Sequence, residues 1–295
     1  MSSALSVAVA ADWELDYYSR PVMEADGKKR WELLICSTPT FAGSDAGFRW
    51  VKLCPASSVN SIWLQEALLE AIAAAALEGY RTPRRLRCWR ASMRTMVQRA
   101  AEAIGLEVVP SRRCYALVEW LRERELQVYP AEPGYMAGPL APVPVPVPQP
   151  PVQLPESVRG DNWSWATLPA VALREAADWD IGFDGLLRLP DGLADQAVVP
   201  GIRLFSASRA LAIAGWMAGL EPVRLRIGAS SLLLEASLEN CWLLGAVDQA
   251  EADAASKAFE ASRAEAHGMQ FIAVQSDPDS ERFDGFWLLR DLPEL

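Results

Sequence analysis

One histidine, His267, is all the imidazole in a chain of 295 residues, and that scarcity excludes most histidine chemistry. A multi-histidine metal centre cannot be built, and a Ser–His–Asp or Cys–His arrangement would have a single ring to pass through. The five cysteines (Cys36, Cys54, Cys88, Cys114, Cys241) are scattered with no Cys-x-x-Cys pair. That argues against a zinc module, and in a chain this large it reads as reduced thiols in a cytosol-like compartment. No GxxxxGK[ST] or GxGxxG loop is present to cradle a nucleotide. No apolar run approaches the ~18 residues of a membrane span; the stretch 143–152 is apolar but broken by proline. Residues 1–11 are apolar yet lack the basic n-region of a signal peptide. The expectation is a cytoplasmic protein with no metal and no cofactor.

Charge is unevenly spread. The whole chain has 38 acidic against 28 basic side chains, a formal net charge of -10. Residues 1–150 carry 17 Lys and Arg against 16 Asp and Glu, whereas residues 151–295 carry 11 against 22. An acidic total therefore conceals a nearly neutral first half and a strongly acidic second half. With 51% hydrophobic residues the chain has material for cores, and its length suits two domains of roughly 100–200 residues.

Ten of the 21 prolines fall in residues 130–155, including the alternating stretch from Pro142 to Pro148. Proline on every second residue fixes φ and removes amide donors, so helix and central strand are both excluded there. An extended polyproline spacer follows. An SH3-type ligand is the rival reading, but no Arg or Lys anchors flank the prolines. The expected layout is an arginine-rich α/β domain over 12–129, a proline-rich linker over 130–160, and an acidic α/β domain over 161–295.

Patterning within each half predicts mixed sheets with helices packed on them. Trp13, Leu15 and Tyr17 alternate with Glu14, Asp16, Tyr18 and Arg20, as in a half-buried strand. Asp26-Gly27 supplies a turn, and strands follow at 30–37 and 48–53. Helices are expected at 61–78, 92–104 and 113–124, with strands at 86–89 and 106–109 between them. Asn60 is the candidate cap of the first helix and Gly79 its stop. The stripe Met93, Met96, Val97, Ala100, Ala101, Ile104 marks the inward face of the second. In the second half, strands are expected at 198–205, 223–227, 232–236, 241–246, 271–275 and 286–289, and helices at 208–218 and 249–266. The fold class is α/β: two mixed-sheet domains, each a β-meander with packed helices. This echo between the halves would suit a diverged duplication.

The stretch 81–124 is the most informative for function. It holds eleven arginines and only four glutamates, a surplus of +7. Every one of its cations is an arginine, whose planar fork suits phosphate and stacks on bases. The candidate RNA-contacting residues are Arg81, Arg84, Arg85, Arg87, Trp89, Arg90, Arg94, Arg99, Arg112 and Arg113, with Trp89 and Tyr115 as stacking platforms. The competing role for the arginines is to solvate helix faces and pair with the acidic half. Glu14, Asp16 and Glu32 lie on adjacent strands and invite comparison with a nuclease carboxylate set. The Glu-x-Lys of such a core is missing, because Leu33-Leu34 follow Glu32; Lys52 would have to substitute. His267 precedes Gly268 at the end of an acidic helix, where an imidazole suits the carbonyl end. The twelve tryptophans are assigned to packing by default, with Trp163 and Trp165 holding the start of the second domain against its core.

Longer strings narrow the field. Trp13-Glu14-Leu15-Asp16-Tyr17-Tyr18-Ser19-Arg20-Pro21 and Lys28-Lys29-Arg30-Trp31-Glu32-Leu33-Leu34-Ile35-Cys36 resemble the opening of the Tab-type RNA-binding proteins of cyanobacteria and chloroplasts. Trp50-Val51-Lys52-Leu53-Cys54-Pro55, Pro110-Ser111-Arg112-Arg113 and Gly285-Phe286-Trp287-Leu288-Leu289 continue the resemblance through both halves. It implies a non-enzymatic factor that binds the leader of photosystem reaction-centre messages as single-stranded RNA and supports translation and photosystem assembly. The expected location is cytoplasmic, with the thylakoid periphery as the alternative, and the absence of a transit-peptide-like leader suggests the cyanobacterial form. The acidic half repels RNA and suits a photosystem or translation protein as partner. The rival functions are a protein-only assembly chaperone and a divergent metal-dependent nuclease using Asp16 and Glu32.

Overall fold

The computed structural model describes residues 12–39, 41, 47–137 and 149–291. The apolar stretch 1–11 and the alternating prolines within 138–148 lie outside the described residues. The chain divides into two compact units.

The first unit is one five-stranded sheet with helices on both faces. Its elements are β1 (Trp13–Met23), β2 (Lys29–Ser37), β3 (Arg49–Cys54), α1 (Ser61–Leu77), β4 (Arg85–Cys88), α2 (Arg94–Glu102), β5 (Glu107–Pro110) and α3 (Tyr115–Glu123). The order across the sheet is β3-β2-β1-β4-β5. The β1–β3 meander is antiparallel, while β4 and β5 run parallel to β1. This is the expected βββαβαβα path, three strands followed by a helix and two strand–helix units. Asn60 caps α1 as its side-chain chemistry predicts, its Oδ1 accepting from the N–H groups of Ile62 and Trp63 at 3.0 and 2.9 Å. Leu64, Ala67, Leu68, Ala71 and Ala75 form the buried stripe of α1. They meet Trp13, Leu15, Tyr17, Leu33 and Ile35 from the sheet and Val97, Ala100 and Ala101 from α2.

The other face of this sheet differs from the half-buried strand read in the sequence. Glu14, Asp16 and Arg20 of β1, and Glu32 of β2, are all buried. The reason is α3, which continues through a π-helical turn, Arg124–Val128, into the 3-10 turn Tyr129–Ala131 and covers that face. The chain then stays on β1: Met23 N–H donates to Gly134 O at 2.8 Å, and Met136 N–H to Pro21 O at 2.9 Å.

The second unit holds two sheets. Its elements are β6 (Val152–Gln153), β7 (Asn162–Pro169), α4 (Ala170–Arg174), β8 (Ile181–Gly185), β9 (Val198–Phe205), α5 (Ala210–Ala218), β10 (Pro222–Ile227), β11 (Ser231–Ala236), β12 (Asn240–Ala246), α6 (Gln249–Glu265), β13 (Met269–Gln275) and β14 (Phe283–Arg290). One sheet has the order β7-β9-β13-β14-β8 and the other β10-β11-β12-β6. Here the meander β10–β12 stands in a sheet of its own, whereas in the first unit it is continuous with the parallel strands. The resemblance between halves therefore stops short of a shared topology. Residues at the end of the expected 130–160 spacer are folded: β6 pairs with β12, and Leu154 and Val158 are buried in the core of this unit.

Trp163 packs against that core, and Trp165 meets it edge-on with ring centroids 4.8 Å apart. Gly245 makes room for Trp163, since a Cβ there would lie 2.3 Å from the indole Nε1. His267 ends α6 in a left-handed conformation, φ 54°, and its N–H donates to Ala264 O at 3.1 Å.

Candidate nucleic-acid interface

The sequence places ten candidate contact residues between Arg81 and Arg113, and the fold sends them to different places. β4 and β5 are adjacent parallel strands. After β4 the chain crosses to α2, on the face that carries α1; after β5 it crosses to α3, on the opposite face. The carboxyl ends of β4 and β5 thus form a topological switch point, the place where open α/β sheets bind ligands. Arg90 and Arg94 follow β4 there, and Arg112 and Arg113 follow β5. Arg81, Arg84 and Arg85 lie at the opposite, amino end of β4.

At the amino end one carboxylate gathers three arginines. Asp12 takes Arg85 at 2.7 Å, Arg87 at 3.0 Å and Arg84 at 3.6 Å. Arg87 is buried and also donates to Thr38 Oγ1 at 3.2 Å. The Arg84 side chain remains 66% exposed, so its pairing is loose. Arg81 is exposed and makes no ion pair among the described residues.

Toward the carboxyl end, Arg90 and Trp89 turn inward. Asp16 accepts from Trp89 Nε1 at 2.8 Å, from Arg20 Nη1 at 2.7 Å, and from Arg90 Nε. Burial alone raises the Asp16 carboxyl, but Arg20 and Arg90 outweigh it and hold the group below its ordinary value. The Arg90 guanidinium lies over the Tyr18 ring, 4.1 Å from its centroid. Glu32 is saturated in the same way: its Oε1 takes Arg124 Nη2 at 2.6 Å, and its Oε2 takes Arg20 Nε at 3.1 Å and the Tyr129 hydroxyl at 2.5 Å. This network was not found from the sequence. Its signal was the Asp16, Arg20 and Glu32 set on one face of paired strands, whose partners Arg90 and Arg124 are remote in the chain.

Two expectations are corrected by this geometry. Trp89 is 4% exposed with its indole N–H committed to Asp16, so it offers no open face to a base; Tyr115 is likewise buried. Asp16 and Glu32 do sit on neighbouring strands, but their oxygens are taken up by guanidinium, indole and phenol donors. Lys52 points away to Glu70 at 2.6 Å. Among the described residues no group of three or more His, Cys, Asp or Glu is arranged to hold a metal ion.

What faces solvent is a smaller set. Arg94 and Arg99 lie exposed on α2, because its buried stripe of Val97, Ala100 and Ala101 faces the sheet. Neither makes an ion pair among the described residues. Arg112 is half-buried and Arg113 is buried, its guanidinium 5.9 Å from the Tyr115 ring centroid. Beneath this loop lies Glu14, fully buried at the amino end of α3. Burial pushes its carboxyl up to about 7 against the opposing pull of the Leu117 N–H and of Arg87. A surface of exposed arginines, such as Arg94 and Arg99 on α2, can grip phosphates.

Residues 12–124 match the RNA-binding protein Tab2/Atab2 N-terminal domain, and residues 141–290 match its C-terminal domain. A chloroplastic TAB2 homologue of Zea mays is 36% identical over 292 residues, covering 96% of this chain and 72% of that protein. The chloroplastic TAB2 homologue of Arabidopsis thaliana is 32% identical over 291 residues, covering 96% of this chain and 75% of that protein.

Proposed function

The chain belongs to the Tab2/Atab2 RNA-binding protein family, and on that premise we propose that it binds single-stranded messenger-leader RNA and supports translation and assembly of photosystem reaction-centre proteins. It does so without catalysing a reaction. The observation that carries the reading is the division of the arginines. Arg85, Arg87 and Arg90 are consumed by Asp12 and Asp16, while Arg81, Arg94 and Arg99 stand exposed on the first unit with no ion pair among the described residues.

Phosphate contacts from these arginines supply affinity, which is why binding is salt-dependent and weakly selective in sequence. With Trp89 and Tyr115 buried, stacking plays a smaller part than the sequence suggested. The acidic second unit repels RNA and serves a protein partner. The factor acts in the cytoplasm or at the thylakoid periphery; no helix among the described residues is long and apolar enough to cross a membrane. The test is RNA retention by the full chain and by the variant Arg81→Gln/Arg94→Gln/Arg99→Gln. Loss of RNA in a variant that melts like the parent supports the reading, and unchanged binding removes it.

A further inference from the structure

Helix α5, Ala210–Ala218, has the sequence Ala-Leu-Ala-Ile-Ala-Gly-Trp-Met-Ala, without one polar side chain. A helix apolar on every side is normally enclosed on every side. This one is not. Ala210, Ile213, Ala214 and Met217 are buried against the sheet, while Leu211, Ala212 and Ala218 are exposed. Beside it runs β8, the edge strand of its sheet among the described residues, paired with β14. Phe183 of β8 leans onto α5 at Gly215, where a Cβ would lie 3.6 Å from its ring. Leu211 is one turn before Gly215 on the same helix face. Leu211 is 58% exposed and Phe183 37%, so the two form an apolar strip along an open strand edge.

The charges that lead into β8 and lie within it are acidic. Glu175, Asp178 and Asp180 lead into β8 and Asp184 lies within it; all four are exposed, and residues 175–184 contain no Lys or Arg. Among the described residues Arg282 pairs with Asp180 at 3.7 Å, with both side chains largely in solvent. An acidic edge repels a second copy of itself, which is how sheets guard against self-pairing. It attracts a cationic strand. An extended segment added beside β8 gains main-chain hydrogen bonds, and its alternate side chains fall on one face of the sheet.

We propose that the β8–α5 edge is a docking site for an extended basic segment of a partner protein, with apolar residues at alternate positions lying on Phe183 and Leu211. This rests on the acidic unit being the protein-binding half and is separate from RNA contact by the first unit. The probe is a fluorescent peptide alternating lysine and leucine, with a lysine–serine peptide as the charge-only control, titrated against the full chain. The variant Phe183→Ser/Leu211→Ser leaves the net charge unchanged and alters exposed positions only. It should bind the lysine–leucine peptide at least about tenfold more weakly, as expected for loss of buried apolar anchors, with RNA binding and melting as in the parent. Glu175→Gln/Asp178→Asn, which keeps the apolar strip, should weaken the same peptide. Equal affinity of the parent and the serine variant overturns the proposal, as does equal binding of the two peptides by the parent. A parent that sediments as a dimer and a serine variant that sediments as a monomer would assign this face to a second copy instead.

Discussion

Glu14 Oε2 accepts the backbone N–H of Leu117 at 2.8 Å, joining the middle of the sheet to the first turn of α3. The helix amino terminus favours a negative charge there, yet the carboxyl is fully buried and its Oε1 has no well-aligned hydrogen-bond partner among the described residues. Glu119 adds a like charge, while Arg87 and the Thr38 side chain pull the other way. Desolvation wins.

A pH dependence follows from that balance. The Glu14 carboxyl titrates at about 7 in the fold against 4.5 in the unfolded chain, so the folded state holds a proton that the unfolded state has lost between those values. Its contribution is complete below pH 4.5, falls as pH rises through 7, and is constant above. The difference amounts to about 3 kcal/mol. Glu14→Gln keeps an oxygen for the Leu117 N–H and cannot ionise. Denaturant melts at pH 5 and pH 8 should show the parent losing stability relative to this variant as pH rises. Parallel pH profiles would mean that the carboxyl titrates normally.

Arg20 bridges Asp16 and Glu32 from inside the same face. Replacing it by methionine preserves much of its volume but leaves two buried carboxylates short of a cation. We expect a loss of about 3–5 kcal/mol, the usual consequence of breaking a buried pair from one side. Adding Glu32→Gln to Arg20→Met should recover part of it, because one uncompensated charge is then removed. A shift in urea midpoint below that of an ordinary surface substitution would show that water reaches the network.

The elements that sequence pattern revealed are those whose signals are local. The stripe from Met93 to Ile104, the Asn60 cap and the Asp26-Gly27 turn each lie within a few residues, and each element formed where expected. The family was legible too, because the strings at 13–21 and 28–36 are long. β7 and β8 were missed. Asn162–Pro169 ends in proline, and Ile181–Gly185 mixes two glycines and an aspartate with two apolar residues, so neither carries a clean alternation. The charged face of β1 was visible, but its burial was not. Asp16 meets Arg90 from 74 positions away and Glu32 meets Arg124 from 92, and no periodicity links such pairs. Part of the arginine surplus is internal, because Arg85, Arg87 and Arg90 meet Asp12 and Asp16, which lie outside the stretch 81–124.

Incubation of the purified chain with RNA or DNA and Mg²⁺ or Mn²⁺ should leave both intact. In nucleases of the carboxylate type a cation needs free oxygen lone pairs and room for water. Those of Asp16 and Glu32 are directed at Arg20, Arg90, Arg124, Trp89 and Tyr129. Metal-dependent cleavage that disappears in Asp16→Asn would require the arginines to swing away and would contradict this arrangement.

RNA affinity should report which arginines touch phosphate. For a single strand, log affinity falls with log salt by about 0.7 per phosphate contact. Removing Arg81, Arg94 and Arg99 together should therefore lower affinity and flatten the slope by about 2 if each holds one phosphate. Folding should survive, because all three side chains are exposed and none has an ion pair to lose among the described residues. Arg226→Gln serves as the comparison: it removes an arginine from the second unit, where the guanidinium sits against Glu235 at 3.1 Å. That change should leave the slope as it was. If both variants lower the affinity alike with no change in slope, the protein's net charge governs binding, and the exposed arginines of the first unit are not the contact surface.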